Sequence, residues 1–271
     1  MFYIKTLTIA GSDSSGGAGI QADLKTLSAL GCYAASVITS VTAQNTLGVT
    51  AVQHISPEMV RAQLKAVMDD IKPDAIKIGM TGRAQTITAI ADVLNDYPEA
   101  HIVIDPVMVS TSGSPLMEPD GIATLCQRLL PKATLLTPNL PEAEALAGIH
   151  IDSEAQIDLA ARRIMDLGCK ALLIKGGHLE GLQKTDRLYT ADGQRFVFQS
   201  PTVPTRNTHG TGCTLSSAIT AFLARGEALT DAIKLAKDYV THALRAGNDV
   251  TLGDGYGPVN HFFNPEKLLK R

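Results

Sequence analysis

The sequence predicts an α/β fold, with a mostly parallel central sheet and helices on both of its faces in a three-layer α/β/α arrangement. Short β-rich runs alternate with amphipathic helical stretches over most of the chain. No linker, internal repeat or low-complexity tract interrupts the alternation. Strand followed by helix in repetition implies parallel neighbours covered on both faces, and right-handed crossovers then restrict the topology strongly. A single domain over residues 1–271 is the economical reading of that pattern.

The elements follow in order. Strands are expected at residues 6–10, 35–40, 75–79, 101–107, 134–137 and 171–175. Helices are expected at 18–30, where Ile20, Leu24 and Leu27 share one face, and at 57–71, 84–94, 119–130 and 154–167. Beyond Lys175 the pattern changes to two alternating runs, 187–190 and 194–199, joined around Ala191, Asp192 and Gly193. Asp-Gly between alternating strands is a strong hairpin signal, so a small β hairpin or flap is expected here. Two final helices, 212–225 and 229–248, close the chain.

Composition narrows the function classes. A hydrophobic fraction of 45% with 19% charged residues suits a soluble globular protein with a large core. The net charge of −3 and the absence of any Lys/Arg-rich run argue against a nucleic-acid binder. No apolar run reaches the roughly 18 residues of a membrane span, and the first ten residues read as a strand rather than a signal peptide. Cys32, Cys126, Cys169 and Cys213 are scattered, with no C-x-x-C pair, as expected of a reducing cytoplasm.

In open parallel sheets ligands bind beyond the carboxyl ends of the strands, so the residues directly after each strand carry the functional reading. The first such segment runs from Gly11 through Ser12 to Gly19 and opens a helix. Gly17, Gly19 and Ala22 fit the dinucleotide spacing G-x-G-x-x-A, but no acidic residue occurs between Asp23 and Glu58, where such a site needs one. Gly11 and Gly16 have Walker spacing, yet Gly17 and Ala18 replace the required Lys and Ser/Thr. A tight turn without a ligand is one reading. The other is a loop whose backbone closely approaches a small substrate, with Asp13 and Asp23 offering hydrogen bonds.

The second segment, Arg206 to Thr214, precedes an apolar helix and holds Gly210, Thr211, Gly212 and Cys213. Converging amides and the helix N-terminus suit the negative charge of a transferred phosphoryl group. Cys213 at that N-terminus is either a thiol of lowered pKa or a small buried hydrophobe. Asn139 and Glu142 follow another strand; they suit Mg²⁺ held through water, or equally a helix cap. Asp105 ends an apolar strand, where a carboxylate needs a salt bridge, a metal or a phosphate partner. Lys175 ends another and suits nucleotide phosphates.

These pieces in this order resemble the ribokinase-like superfamily, from Ala10 to about Asn248. Within it the chain is similar to the hydroxymethylpyrimidine/phosphomethylpyrimidine kinases in AGSDSSGGAGIQADLKT, SVTAQNT, KIGM, DPVM, LTPNLPEAE, KGGH and NTHGTGCT. The resemblance implies transfer of the ATP γ-phosphate to a pyrimidine hydroxymethyl group, then a second transfer to give the pyrophosphate used in thiamine assembly. It implies that Gln44 binds the pyrimidine edge, as an amide offering both donor and acceptor can. Asp23, Gly11, Met80 and Val107 would line the same pocket. Asn139 and Glu142 would serve Mg²⁺ with Asp105 near the nucleotide, Lys175 and Thr208 would meet ATP, and Gly210 to Cys213 would form the anion hole. A cytoplasmic homodimer is implied as well.

Cys213 stands where most ribokinase-like enzymes carry an Asp base, which agrees with the pyrimidine kinases. It either accepts the hydroxyl proton as thiolate or leaves the work to positioning and electrostatics. Pyridoxal kinase, of the same fold, is the alternative activity, and Gln44 with Met80 leans toward the aminopyrimidine. A non-catalytic ligand sensor would be expected to have lost Gly210, Gly212, Asn139 or Glu142, and all are present. Residues 178–199 and 43–48 are candidate flaps over ATP.

Overall fold

The strands β1 (Lys5–Asp13), β2 (Tyr33–Asn45), β4 (Ala75–Ile78), β5 (His101–Ile104), β6 (Leu135–Leu136) and β7 (Ala171–Ile174) reproduce the expected parallel succession. The structure, a computed structural model, describes residues 1–110, 113–176 and 182–271. Among these residues one sheet runs in the order β3-β2-β1-β4-β5-β6-β7-β8-β9, where β3 is Gly48–His54, β8 Gln183–Thr190 and β9 Arg195–Pro201. Pairing is parallel from β2 through β7 and antiparallel at both margins.

Alternation along the buried strands sorts side chains between two cores. Ile76 and Ile78 of β4, with Ile102 and Ile104 of β5, face one core. That core is closed by α2 (Pro57–Asp70), α3 (Ala84–Leu94), α4 (Pro119–Thr124) with its π-turn continuation Leu125–Leu129, α5 (Leu140–Ala147) and α6 (Glu154–Met165). Ala75 and Val103 face the other core, shared with α1 (Gly19–Ala29), α7 (Thr211–Ala224) and α8 (Leu229–Ala246). The layers are therefore α/β/α. No helix among the described residues is long and apolar enough to cross a membrane.

The margins depart from expectation. Residues 43–48, read as a loop, are the tip of a β2–β3 hairpin, in which Asn45 Oδ1 accepts from the amides of Leu47 (2.9 Å) and Gly48 (3.3 Å). β3 escapes the sequence pattern because it is an exposed ribbon with no apolar alternation to read. The 187–199 hairpin exists, but both its strands extend the main sheet, β8 lying antiparallel to β7. The remainder of that flap candidate, 178–181, and the motif residues Thr111, Ser112, Gly177 and His178 lie outside the described residues.

Candidate active site

The carboxyl ends of β1, β4, β5 and β7 and the N-terminus of α7 converge. Gly210 caps α7 with φ +77°, and a Cβ there would lie 1.9 Å from the Gly17 carbonyl oxygen. The left-handed backbone and that close approach both demand glycine, which seats the anion loop directly on the glycine-rich loop after β1. A Cβ at Gly212 would stand 3.5 Å from Lys175 Nζ and 3.7 Å from Asp105 Oδ2, so the loop lies against that ion pair. Thr211 Oγ1 closes the turn by donating to the Thr208 carbonyl at 2.7 Å, and Thr208 itself is exposed.

Lys175 Nζ donates to Asp105 Oδ1 at 2.7 Å, and Thr137 and Ser216 hydroxyls lie 3.3 and 3.4 Å from the same carboxylate. Burial alone would raise the Asp105 carboxyl, but Lys175 and Lys77 hold it below the ordinary range. Asn139 and Glu142 form a reciprocal capping box on α5: the Glu142 amide donates to Asn139 Oδ1 (2.9 Å) and the Asn139 amide to Glu142 Oε2 (2.8 Å). Burial pushes the Glu142 carboxyl up to about 7, against the pull of Lys175 and with the push of Asp105. All the nearby donors are oxygen, which fits Mg²⁺ chemistry. Among the described residues no group of three His, Cys, Asp or Glu gathers as a direct cage. These oxygens would suit an ion that keeps most of its waters, which Glu142 and Asp105 would hold.

Two residues expected to meet a ligand have partners within the protein. Asp23 is fully buried: its carboxylate takes both Lys77 Nζ contacts (2.8 and 3.0 Å), the Thr8 hydroxyl (2.6 Å) and the Ser217 hydroxyl (2.7 Å). In this structure Asp23 braces Lys77 from below. Asp13 likewise accepts from the amides of Ser15, Gly17 and Ala18, the Ser15 hydroxyl and the ring of His209. It organises the glycine-rich loop rather than a ligand.

Lys77 and His209 were missed. Lys77 sits in β4 between two buried isoleucines, and the period of two turns it toward the α1/α7 face, where Asp23 waits. A Cβ at Gly79 would come within 2.5 Å of Lys77 Nζ, so the amine reaches up to the ligand edge of the sheet. A charged residue between apolar strand neighbours was the available signal. His209 is buried, and its pairing with Asp13 spans 196 residues, beyond any local pattern.

Cys213 receives the backbone N–H of Gly19. Of the two readings open for it, a thiol of lowered pKa or a small hydrophobe, the first does not hold, because burial pushes the thiol up to about 11. Lys77 pulls it down, and Asp23 and Asp105 oppose that pull. Gly11 and Met80 adjoin, a Cβ on the glycine falling 2.9 Å from Met80 Sδ. Val107 is half-buried just past β5, its amide donating to the Asp105 carbonyl at 2.8 Å. Gln44 is tied to the glycine-rich loop by two backbone bonds with the Ser14 hydroxyl, each 2.8 Å. Beside Thr208 opens a cavity of about 560 Å³ lined by Pro204, Arg206, Asn207 and residues 248–255. Its two walls are braced by Asn207 Nδ2, which donates to the Gly247 (2.5 Å) and Val250 (2.7 Å) carbonyls.

A glycine-rich loop at a helix N-terminus, set beside the Lys77–Asp23 and Lys175–Asp105 pairs at the carboxyl edge of this sheet, is the arrangement of the ribokinase-like phosphotransferase fold. The family model described as phosphomethylpyrimidine kinase matches residues 13–260. The chain belongs to that family. It is 52% identical over 258 residues to a hydroxymethylpyrimidine/phosphomethylpyrimidine kinase of Rhizobium meliloti, covering 94% of this chain and 96% of that one. A crystal structure of phosphomethylpyrimidine kinase from Clostridium difficile is 46% identical with a TM-score of 0.78, covering 89% of this chain and 99% of that one. A Bacillus subtilis pyridoxal kinase bound to ADP is 37% identical with a TM-score of 0.87, covering 96% and 98%.

Proposed function

We propose that this chain, as a single kinase domain, transfers the γ-phosphate of ATP to the hydroxymethyl group of 4-amino-5-hydroxymethyl-2-methylpyrimidine. It then phosphorylates the monophosphate to the pyrophosphate for thiamine assembly. The observation that carries this reading is the convergence of Gly212 on the Lys175–Asp105 pair, within a fold whose similar chains are kinases of that name. The cavity beside Thr208 has the volume of a nucleoside pocket, which leads the phosphates along Lys175 to the anion loop. Gly11, Met80, Val107 and Gln44 form the pyrimidine side.

In the transfer the hydroxymethyl oxygen attacks the γ-phosphorus, the bond to the β–γ bridging oxygen breaks, ADP leaves with that oxygen, and the hydroxyl proton is released to solvent as the O–P bond forms. The equatorial charge is met by the amides of Gly210 to Cys213, the start of α7 and the Lys175 ammonium. Mg²⁺, when bound with ATP, neutralises phosphate charge; Asn139, Glu142 and Asp105 would hold its waters. A thiol with a pKa near 11 is protonated at neutral pH, which favours positioning and electrostatics over a preformed thiolate base. The same reading carries a cytoplasmic location and, by family resemblance, a homodimer.

Pyridoxal kinase is the second reading, favoured by the TM-score of 0.87 to the B. subtilis enzyme. The test is ADP release with Mg²⁺-ATP and three acceptors in parallel: the hydroxymethylpyrimidine, its monophosphate, and pyridoxal. Turnover of both pyrimidines with little of pyridoxal is expected. Turnover of pyridoxal alone would keep the phosphoryl-transfer site and overturn the substrate.

A further inference from the structure

One end of the Gln44 amide lies 3.1 Å from the Thr42 hydroxyl, and the other lies 3.4 Å from His209 Nε2. Amide oxygen and nitrogen have the same shape, so the partners decide which end is which. The His209 side decides first. Its Nε2 is 2.8 Å from Asp13 Oδ2. Burial would raise the Asp13 carboxyl, but the bonds from His209, Ser15 and Ala18 outweigh it and hold the group well below the carboxylate range. An ionised carboxylate can only accept, so His209 Nε2 carries a proton and donates. A ring nitrogen that carries a proton cannot accept from an amide N–H. The Gln44 atom facing it is therefore the oxygen.

The Thr42 side agrees. Its hydroxyl has one proton and lies 3.1 Å from the Ser12 carbonyl, which can only accept. With the oxygen turned to His209, the nitrogen faces Thr42, whose hydroxyl oxygen accepts from it while its proton goes to Ser12. The opposite orientation would set two donors against each other at His209. The imidazole itself has no freedom to yield. It is buried, its backbone amide donates to the Gly257 carbonyl at 3.0 Å, and a Cβ at Gly17 would fall 2.4 Å from its Cδ2.

We infer that His209 is a positioning residue for specificity: it locks Gln44 with the oxygen toward the imidazole and the nitrogen toward Thr42. Each end then keeps one free lone pair or hydrogen, so the donor and acceptor offered to a ring edge come in a fixed order. A 4-aminopyrimidine presents an exocyclic N–H donor beside a ring-nitrogen acceptor. Its 4-oxo analogue presents the reverse, an exocyclic acceptor beside a ring N–H. A free glutamine could turn to serve either; a locked one serves a single order, which on the proposed function is that of the aminopyrimidine. The inference rests on the reading that Gln44 meets the pyrimidine.

The test compares kcat/KM for the amino and 4-oxo hydroxymethylpyrimidines in the full chain. Wild type is expected to prefer the amino compound by at least about 100-fold, as sites built on buried hydrogen bonds do. His209→Gln, whose amide N–H stands near the position of Nε2, is expected to keep the preference. His209→Leu is expected to reduce it to below about tenfold, mainly through KM. An undiminished preference in a folded His209→Leu variant overturns the inference. Gln44→Ala separates the underlying reading: if that variant keeps the wild-type preference, Gln44 does not meet the substrate. The lock is then judged on wild-type protein by ¹⁵N-histidine NMR, with His209 assigned through its loss in His209→Gln. An Nε2–H tautomer supports it, and an Nδ1–H tautomer with bare Nε2 overturns it.

Discussion

At the scale of single residues, the site holds one unexpected lysine, Lys77, and gives Asp23 and Asp13 partners within the protein. Asp23 and Asp13 looked like ligand-binding groups because they flank a glycine-rich loop after a strand. Their oxygens are instead spent on Lys77 and on loop amides, and only three-dimensional hydrogen-bond accounting reveals this. Gly210, Lys175 and Asp105 were legible because strand ends and glycine spacing are local signals. Cys213 is the residue whose chemistry the sequence left open, and burial decides its ground state. With its pKa pushed up to about 11, its thiolate fraction at pH 8 is on the order of 10²-fold smaller than that of a free cysteine. Carboxamidomethylation of Cys213, followed by peptide mass mapping across pH, is expected to rise without inflection up to pH 9. An inflection below pH 8 would show an activated thiolate and restore Cys213 as the base. The shape of the profile is the readout, since access alters the rate at every pH alike.

Elements position these residues, and α5 shows how one element can serve both fold and site. The sequence read Asn139 and Glu142 as a cap or as metal partners, and the capping box is formed. Asn139 capping contributes roughly 1 kcal/mol. Glu142 supplies the reciprocal bond while buried beside Asp105, and its carboxyl is pushed up to about 7 from an ordinary 4.5. A folded pKa above the unfolded one means that the native state binds the proton more tightly. The stabilisation is therefore full below about pH 4.5 and is lost as pH rises through 7. Glu142→Gln keeps a capping acceptor but cannot ionise. In metal-free buffer its urea-unfolding free energy is expected to gain on wild type by about 3 kcal/mol between pH 4.5 and pH 8. A gap between the two proteins that stays flat with pH would mean that Glu142 titrates normally and that burial does not raise its carboxyl. The hairpin β2–β3 shows the opposite case. It was unreadable because an exposed two-stranded ribbon needs no apolar face, so its period of two leaves no trace in hydropathy.

At the scale of the molecule, the two cores and the continuous sheet are what the alternation of strands and helices foretold, and long-range ion pairs fasten the parts it could not. Asp186 of β8 accepts from Lys237 of α8 at 2.5 Å and from the Gly176 amide at 2.9 Å, all buried. This one carboxylate joins the antiparallel margin, the helix leading to the nucleotide-sized cavity, and the strand end that bears Lys175. Partners 51 residues apart leave no sequence signature. With the sheet unbroken and its margin pinned in this way, the chain is expected to unfold as one cooperative unit. The chain has six tyrosines and no tryptophan, so tyrosine fluorescence and far-UV circular dichroism are the suitable paired probes, and their urea transitions should coincide. Lys237→Met leaves Asp186 buried without its cation, at a cost of about 3–5 kcal/mol. It should lower the common midpoint without splitting the transition. Saturating ADP should raise the wild-type midpoint, by about 2.7 kcal/mol at a hundredfold excess over its Kd. Two separable transitions in wild type would mean that the margin and α8 form a unit of their own, and the single-domain reading would fall. A split seen only in Lys237→Met would instead identify the Asp186 pair as what makes the unit one.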